Sequence, residues 1–255
     1  RYVPEKRILL FSRASYIGMH RFGGIWQGDN ASWWSHLKMN VKMMPSLNMC
    51  GFLYTGADVG GFGADATEDL VLRWLEFAVF TPLLRNHSAR GTRRQEVYRF
   101  SHVEKFADVI GVRYQILPYI YSEYMKAALK NTMMFNPLAF LYGEDALAGQ
   151  VEDQLFIGEN VMVAPVCEQN VSGRVVYFPE HMKELIFKNG IIEEGKVYEK
   201  GFSYVEMQMG TVHIFLREGY LFPVAKGGKC VEDVDFEDLT LYSFGKEIKP
   251  YEYYL

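Results

Sequence analysis

The sequence predicts an α/β fold in which half of a (β/α)8 barrel precedes an antiparallel β-sandwich. From residue 1 to about residue 148, apolar strand-like runs alternate with longer helical segments, which is typical of parallel strands joined by crossover helices. From residue 149 onward the apolar runs are short and are separated by Gly, Pro and Asn, which is typical of antiparallel sheets. We therefore expect two domains, 1–148 and 149–255.

The first domain is predicted from four strand-and-helix units. The strands are expected at Arg7–Arg13, Met49–Thr55, Thr81–Arg85 and Asn136–Tyr142, and the helices at Ala31–Met44, Asp65–Phe80 and Val103–Leu129. Thr67 is a candidate N-cap with acidic residues in the turn after it, and Pro118 is expected to kink or divide the third helix. Four units are half of the eight that a barrel needs in about 250 residues.

The second domain is predicted from seven short apolar runs. They are Asn160–Val166, Arg174–Pro179, Glu184–Lys188, Phe202–Met209, Thr211–Leu216, Asp238–Ser243 and Tyr251–Leu255. Their spacing and the turn residues between them favour a sandwich of two antiparallel sheets.

Half a barrel would leave an unpaired parallel edge, so we expect the other half to come from residues outside this sequence. Arg1 opens the chain without methionine and leads within a few residues into a strand, which also indicates a piece of something longer. The expected partner is therefore an N-terminal barrel half, either from the same polypeptide or from a companion chain.

Composition narrows the classes of partner and compartment. Lys and Arg number 27 against 31 Asp and Glu, so no positive field favours nucleic acid. Three scattered cysteines, Cys50, Cys167 and Cys230, favour a reducing compartment over a disulfide framework. Because no apolar run approaches 18 residues and no signal-like start is visible, we expect no membrane span, and the cytoplasm is the predicted location.

Four ionisable residues stand at or just after predicted strand ends: Arg13, Asp29, Asp58 and His87. Loops at the C-terminal ends of barrel strands carry the chemistry of α/β barrels, so these side chains are predicted to meet in one pocket beside Trp26 and Phe62. Taken singly, each charge could instead belong to a structural ion pair.

Two other kinds of site are disfavoured. The glycine cluster at 59–63 lacks the Lys-Ser/Thr ending of a phosphate loop, and a tight turn explains it better. The six histidines have no ligand spacing, so neither a metal nor a cofactor is expected.

Several short motifs recur in a fixed order along the chain. The matching residues are Arg13; Trp26, Gly28, Asp29 and Asn30; Gly56, Asp58, Gly61 and Phe62; Arg73 and Trp74; Arg85 and His87; Asp153, Gln154 and Gly158; Val163–Val166; Val176–Pro179; and Arg217–Gly219. Together they resemble glycoside hydrolase family 31, the retaining α-glucosidases and their relatives. The resemblance covers most of the chain and implies the C-terminal half of the catalytic barrel followed by its β-sandwich.

The resemblance also implies roles within a sugar pocket. Asp29 would be the general acid/base of retaining hydrolysis, Arg13 and His87 would hold sugar hydroxyls, and Trp26 and Phe62 would line the apolar ring face. Asp58 is expected to orient Arg13 or His87, and Arg85 belongs to the same substrate-binding set. The family's nucleophile lies in an Asp-x-Asn-Glu type motif that this sequence lacks, so we expect the chain alone to be inactive.

The most favoured function is thus an α-glucosidase that removes terminal α-linked glucose from oligosaccharides. Related activities remain open, namely α-xylosidase, transglucosidase and α-glucan lyase, as does a non-catalytic carbohydrate-binding protein. One departure from the family pattern follows the histidine strand, where Arg93, Arg94, Gln95, Glu96 and Val97 replace the usual Arg-Glu-Pro.

Overall fold

The computed structural model describes residues 8–255. Its first part holds three parallel strands that lie side by side in chain order, with three long helices between and after them. These are β1 (Phe11–Ser12), β2 (Gly24–Trp26), α1 (Trp34–Met49), β3 (Thr55–Gly56), α2 (Glu68–Ala78) and α3 (Val103–Lys130). A parallel bridge between Asp58 and Arg85 adds a fourth position to this arrangement. The half-barrel prediction is confirmed.

The strands of this part differ from their predicted bounds. The predicted run Arg7–Arg13 contains β1, and Arg7 itself lies outside the described residues. Strand β2 was not predicted, because Gly23 and Gly24 resemble turn residues. The predicted strand Met49–Thr55 is wrong over most of its length, since α1 continues through Pro45 to Met49 and β3 begins only at Thr55. The segment Thr81–Arg85 contributes a single bridge instead of a strand.

The three helices were predicted more closely. Thr67 occupies the N-cap position of α2, although its hydroxyl bonds to Asp69 and makes no backbone cap. Pro118 lies inside α3 without dividing it. Proline has no N–H, so its place inside α3 costs the helix one backbone hydrogen bond. The burial of apolar side chains around Pro118 offsets that cost.

The second part is built from antiparallel sheets. Its strands are β4 (Phe135–Pro137), β5 (Leu155–Ile157), β6 (Val161–Val163), β7 (Gly173–Phe178), β8 (Met182–Lys188), β9 (Ile191–Tyr198), β10 (Gly201–Glu206), β11 (Val212–Arg217), β12 (Leu221–Ala225) and β13 (Leu239–Ser243). A six-stranded sheet has the order β4-β5-β6-β11-β8-β9, while β10 pairs with β7 and β12 pairs with β13. The predicted β-sandwich is confirmed.

Two predictions for this region are wrong. Instead of a barrel strand, the segment Asn136–Tyr142 contains the end of β4, which pairs antiparallel with β5, and then the short helix α4 (Leu138–Leu141). Tyr251–Leu255 forms no strand. Since β4 precedes residue 149 and yet belongs to the antiparallel sheet, the division at residues 148 and 149 stays a prediction.

The six-stranded sheet packs against other elements on both faces, except at its edge strand β9, whose residues are exposed or partly exposed. One face packs with α1, α2 and α3 in a single core cluster, to which it gives Leu155, Ile157, Val163 and Ile214. The opposite face packs with β7 and β10 in a second cluster that includes Phe156, Met162 and Phe215. Alternate residues of one strand thus enter different cores, as the two-residue period of a strand requires. In residues 8–255 there is no helix with the length and hydropathy that a membrane crossing demands.

Candidate active site

Asp29 lies in the loop that follows β2 and is open to solvent. Its side chain is 46% exposed, and its Oδ2 accepts a hydrogen bond of 3.2 Å from Nη1 of Arg13. Arg13, which is 65% exposed, comes directly after β1. The predicted neighbours Arg13 and Asp29 therefore meet at the C-terminal ends of two adjacent parallel strands, where an incoming polar ligand can reach both.

Backbone hydrogen bonds join the Asp29 loop to the loop that follows β3. The carbonyl oxygen of Asn30 accepts from the amides of Phe62 (2.7 Å) and Gly63 (2.9 Å). Gly61 has a φ of +87°, and a Cβ on it would lie 2.7 Å from the Cα of Ser32. The two loops approach so closely that only glycine fits at this position.

Phe62 and His87 form the second pair of predicted site residues. Their ring centroids are 5.2 Å apart, and the carbonyl oxygen of Phe62 accepts from the amide of Ala89 at 2.8 Å. His87 is exposed and Phe62 is partly exposed, so both rings offer a surface to a ligand. Since Phe62 follows the residue that packs on the Asp29 loop, this ring pair belongs to the same end of the half-barrel.

Asp58 is fully buried and pairs with Arg85. Its Oδ1 accepts from Nε of Arg85 at 2.5 Å, while the Arg85 side chain is 32% exposed. The guanidinium carbon of Arg85 lies 5.4 Å from the ring centroid of Phe11 and 5.5 Å from that of Trp26, and these rings pack edge to face. Asp58 thus orients Arg85, whereas we expected it to orient Arg13 or His87.

Two residues of this region were not predicted as part of the site. Phe11 packs against Trp26 and Arg85, and Gln95 bonds to the backbone of both the Asp58 loop and the His87 segment. The position of Phe11 at the end of an apolar run beside Arg13 offers a signal in the sequence. Gln95 offers none, because a buried glutamine in a loop cannot be told from an exposed one.

Several polar side-chain atoms of the barrel part are buried and have no hydrogen-bond partner among residues 8–255. At the strand ends they include Nε1 of Trp26, Oγ1 of Thr55, Oδ2 of Asp58 and Oε1 of Gln95. Buried polar atoms are nearly always satisfied in native proteins. In the described part of the chain, no group of three or more His, Cys, Asp or Glu side chains is placed to hold a metal ion.

A solvent-open carboxylate lies beside an arginine and near aromatic rings at the C-terminal ends of barrel strands, which is where enzymes of the α/β-barrel class carry their active sites. Residues 1–123 match the sequence model described as the TIM-barrel domain of glycosyl hydrolases family 31, and residues 131–222 match the C-terminal domain of the same family. The chain belongs to glycoside hydrolase family 31.

Individual relatives agree with this family. Alpha-glucosidase 2 of Bacillus thermoamyloliquefaciens is 34% identical over 218 residues, which cover 84% of this chain and 27% of the relative. A Tris-bound glucosidase II alpha subunit superposes with a TM-score of 0.80 and 25% identity, covering 90% of this chain and 25% of the subunit. A dextranase of Flavobacterium johnsoniae, solved with isomaltotriose, gives a TM-score of 0.79 and 26% identity, covering 88% and 29%. The chain spans about a quarter of the length of these relatives.

Proposed function

We propose that this chain is the C-terminal part of the catalytic barrel, with the following β-sandwich, of a retaining α-glucosidase. The observation that carries the proposal is the pair of Asp29 and Arg13, which stands open to solvent beside the Phe62 and His87 rings at the ends of parallel strands. The family and the named α-glucosidases among the relatives support the choice of substrate, an oligosaccharide with terminal α-linked glucose.

The reaction needs two carboxyl groups about 5 to 5.5 Å apart. In the first step a carboxylate bonds to the anomeric carbon as the bond to the glycosidic oxygen breaks, and Asp29 gives its proton to that oxygen. In the second step Asp29 takes a proton from water while the water oxygen bonds to the anomeric carbon and releases the first carboxylate. Asp29 fits the acid/base role because its carboxyl is accessible to a substrate at the C-terminal ends of the barrel strands.

The first carboxylate is proposed to come from outside this chain. Asp58 is unsuited to it, since its side chain is fully buried and one of its oxygens is taken by Arg85. An N-terminal barrel half would supply this nucleophile. It would also cover the exposed apolar residues beside β1, namely Ile8, Leu9, Leu10, Tyr16, Ile17 and Phe22, and give partners to the unpaired polar atoms of Trp26, Thr55 and Asp58. The cytoplasm remains the expected location.

The remaining site residues are proposed to bind the sugar. Arg13 and His87 would donate hydrogen bonds to hydroxyl groups, and the rings of Trp26 and Phe62 would pack on the apolar face of the pyranose. Arg85, held by Asp58, would act mainly by fixing the ring of Trp26, because its guanidinium lies over that ring. Hydrolysis of a dextran-type substrate is a second candidate, favoured by the likeness to the dextranase.

Chemical rescue of Asp29→Ala in the longer enzyme tests the proposal. An aryl α-glucoside whose leaving group needs no acid should still load the nucleophile, and azide needs no general base to attack the intermediate. We expect turnover to fall about 10³-fold or more and to be restored by azide, with α-glucosyl azide as the product. Glu104→Ala, an exposed carboxylate on α3, serves as the control. An unaltered rate in Asp29→Ala, or a β-glucosyl azide, would exclude the assigned role.

A further inference from the structure

Gln95 is a buried side chain that touches both loops carrying the Phe62 and His87 rings. It is 1% exposed. Its Nε2 lies 3.1 Å from the carbonyl oxygen of Val59, 2.9 Å from that of Gly61 and 3.4 Å from that of His87. A single amide group therefore draws together the turn that immediately precedes Phe62 and the backbone of His87.

The Gln95 segment is itself anchored to the same strand end. The carbonyl oxygen of Gln95 accepts from Nδ2 of Asn86 at 2.7 Å, so the side chain of the residue before His87 is also tied to this segment. All three partners of Nε2 are acceptors, and only a donor with more than one N–H can serve them together. The glutamine amide provides two N–H hydrogens and carries no charge. A neutral donor suits this position because its partners are carbonyl oxygens, none of which could neutralise a buried cation.

We propose that Gln95 is a positioning residue that sets the distance between Phe62 and His87 in the sugar pocket. The proposal rests on the proposed function and deepens it, because it names what holds the pocket's two rings at a centroid distance of 5.2 Å. Gln95 makes no contact with substrate and acts only through the backbone of its partners. Loss of its donor lets the two loops separate, so ground-state and transition-state binding of the sugar weaken together.

A matched control exists in the β-sandwich. Gln154 is also buried, and its Nε2 donates to the carbonyl oxygen of Tyr177 at 2.8 Å while its Oε1 accepts from the Tyr177 amide at 2.9 Å. Its bonds join the segment before β5 to strand β7, away from the loops that carry the site. Gln154→Glu makes the same chemical change in an equally buried backbone-bonded amide, so it measures the general cost of that change.

The experiment compares Gln95→Glu and Gln154→Glu in the longer enzyme, by steady-state kinetics on 4-nitrophenyl α-glucoside and by thermal unfolding. Loss of an interaction that stabilises the bound substrate and the transition state equally raises KM without lowering kcat. We expect KM of Gln95→Glu to rise about tenfold with kcat within threefold. For Gln154→Glu we expect a lower unfolding temperature with KM within twofold of wild type.

A second variant separates positioning from the added charge. Gln95→Met keeps the length of the side chain and removes the donor, and it should raise KM in the same direction. The proposal is overturned if KM stays within twofold of wild type in both Gln95 variants, if the Gln154 control raises KM equally, or if neither Gln95 variant folds, since the residue would then be purely structural. An inactive wild-type enzyme would instead overturn the proposed function.

Discussion

The buried pair of Asp58 and Arg85 predicts an asymmetric response to mutation. Asp58 is fully buried, whereas the Arg85 side chain is 32% exposed. Arg85→Met would leave a buried carboxylate with no counter-charge, and we expect a loss of about 3–5 kcal/mol. Asp58→Asn would leave a guanidinium that reaches solvent and still donates to a neutral oxygen, so we expect a loss of about 1–2 kcal/mol.

The double variant Asp58→Asn/Arg85→Met tests the physical cause. It contains no charge from either partner, so it should be more stable than Arg85→Met alone by about 2 kcal/mol. The measurement is urea unfolding of the four proteins followed by tryptophan fluorescence, because Trp26 packs against this pair. Equal losses in the two single variants, or additive losses in the double variant, would refute the reasoning.

Two further predictions concern loop contact and pH. In Gly61→Ala the new Cβ would lie 2.7 Å from the Cα of Ser32. We expect this variant to lose about 1–2 kcal/mol of unfolding free energy and its kcat/KM to fall at least tenfold. Gly91→Ala is the control, because Gly91 has a similar positive φ but lies in open space, so this variant should lose stability without losing kcat/KM. Burial raises the pKa of Asp153, but the charges of Arg174 and a nearby lysine outweigh the effect of burial and hold that pKa below its ordinary 3.8. We therefore expect Asp153→Asn to lower the free energy of unfolding by about 2 kcal/mol at pH 7. A carboxyl group whose pKa is lowered in the folded state stabilises that state at pH values above its ordinary pKa, and the contribution is lost as the pH falls. The difference in melting temperature between wild type and Asp153→Asn should therefore close as the pH falls below about 4. A constant difference would contradict the assignment.

The alternation of helices with apolar runs sufficed to predict the fold class, but it did not locate the short barrel strands. Strand β2 was missed because Gly24 resembles a turn residue. The structure gives another reason for this glycine, since a Cβ there would lie 2.4 Å from the carbonyl oxygen of Tyr54 on the neighbouring chain segment. Close approach of backbones leaves no periodic signal, and so the sequence favoured a turn where a strand lies. Strand β9 was missed for a related reason: its exposed, charge-rich residues do not alternate with apolar ones.

The sequence predicted those contacts of the candidate site that depend only on where a residue lies along its strand. Arg13 and Asp29 follow adjacent strands, and their proximity is what parallel strands impose. The partner of Asp58 was not predictable in this way, because Arg85, Arg13 and His87 all come from neighbouring strand ends. Which of them reaches a buried carboxylate depends on side-chain direction, and that is set only when the chain is packed.

The two parts of the chain are joined by α2, which begins shortly after the loop that holds Phe62. Arg73 donates to the carbonyl oxygen of Met207 at 2.8 Å and to Oε2 of Glu76 at 2.9 Å, while Oε1 of Glu76 accepts from the Gly210 amide at 2.7 Å. Burial raises the pKa of the Glu76 carboxyl, and Arg73 and the Gly210 amide oppose that rise.

Removal of the sandwich would leave Arg73 and Glu76 without these backbone partners and would expose the core face shared with the six-stranded sheet. Both losses destabilise α2, and the loop that precedes it carries Gly61, the residue packed against the Asp29 loop. The sandwich therefore supports the geometry of the candidate site although no residue of the site lies in it, and a truncation of the longer enzyme at the predicted domain boundary should lose activity together with stability.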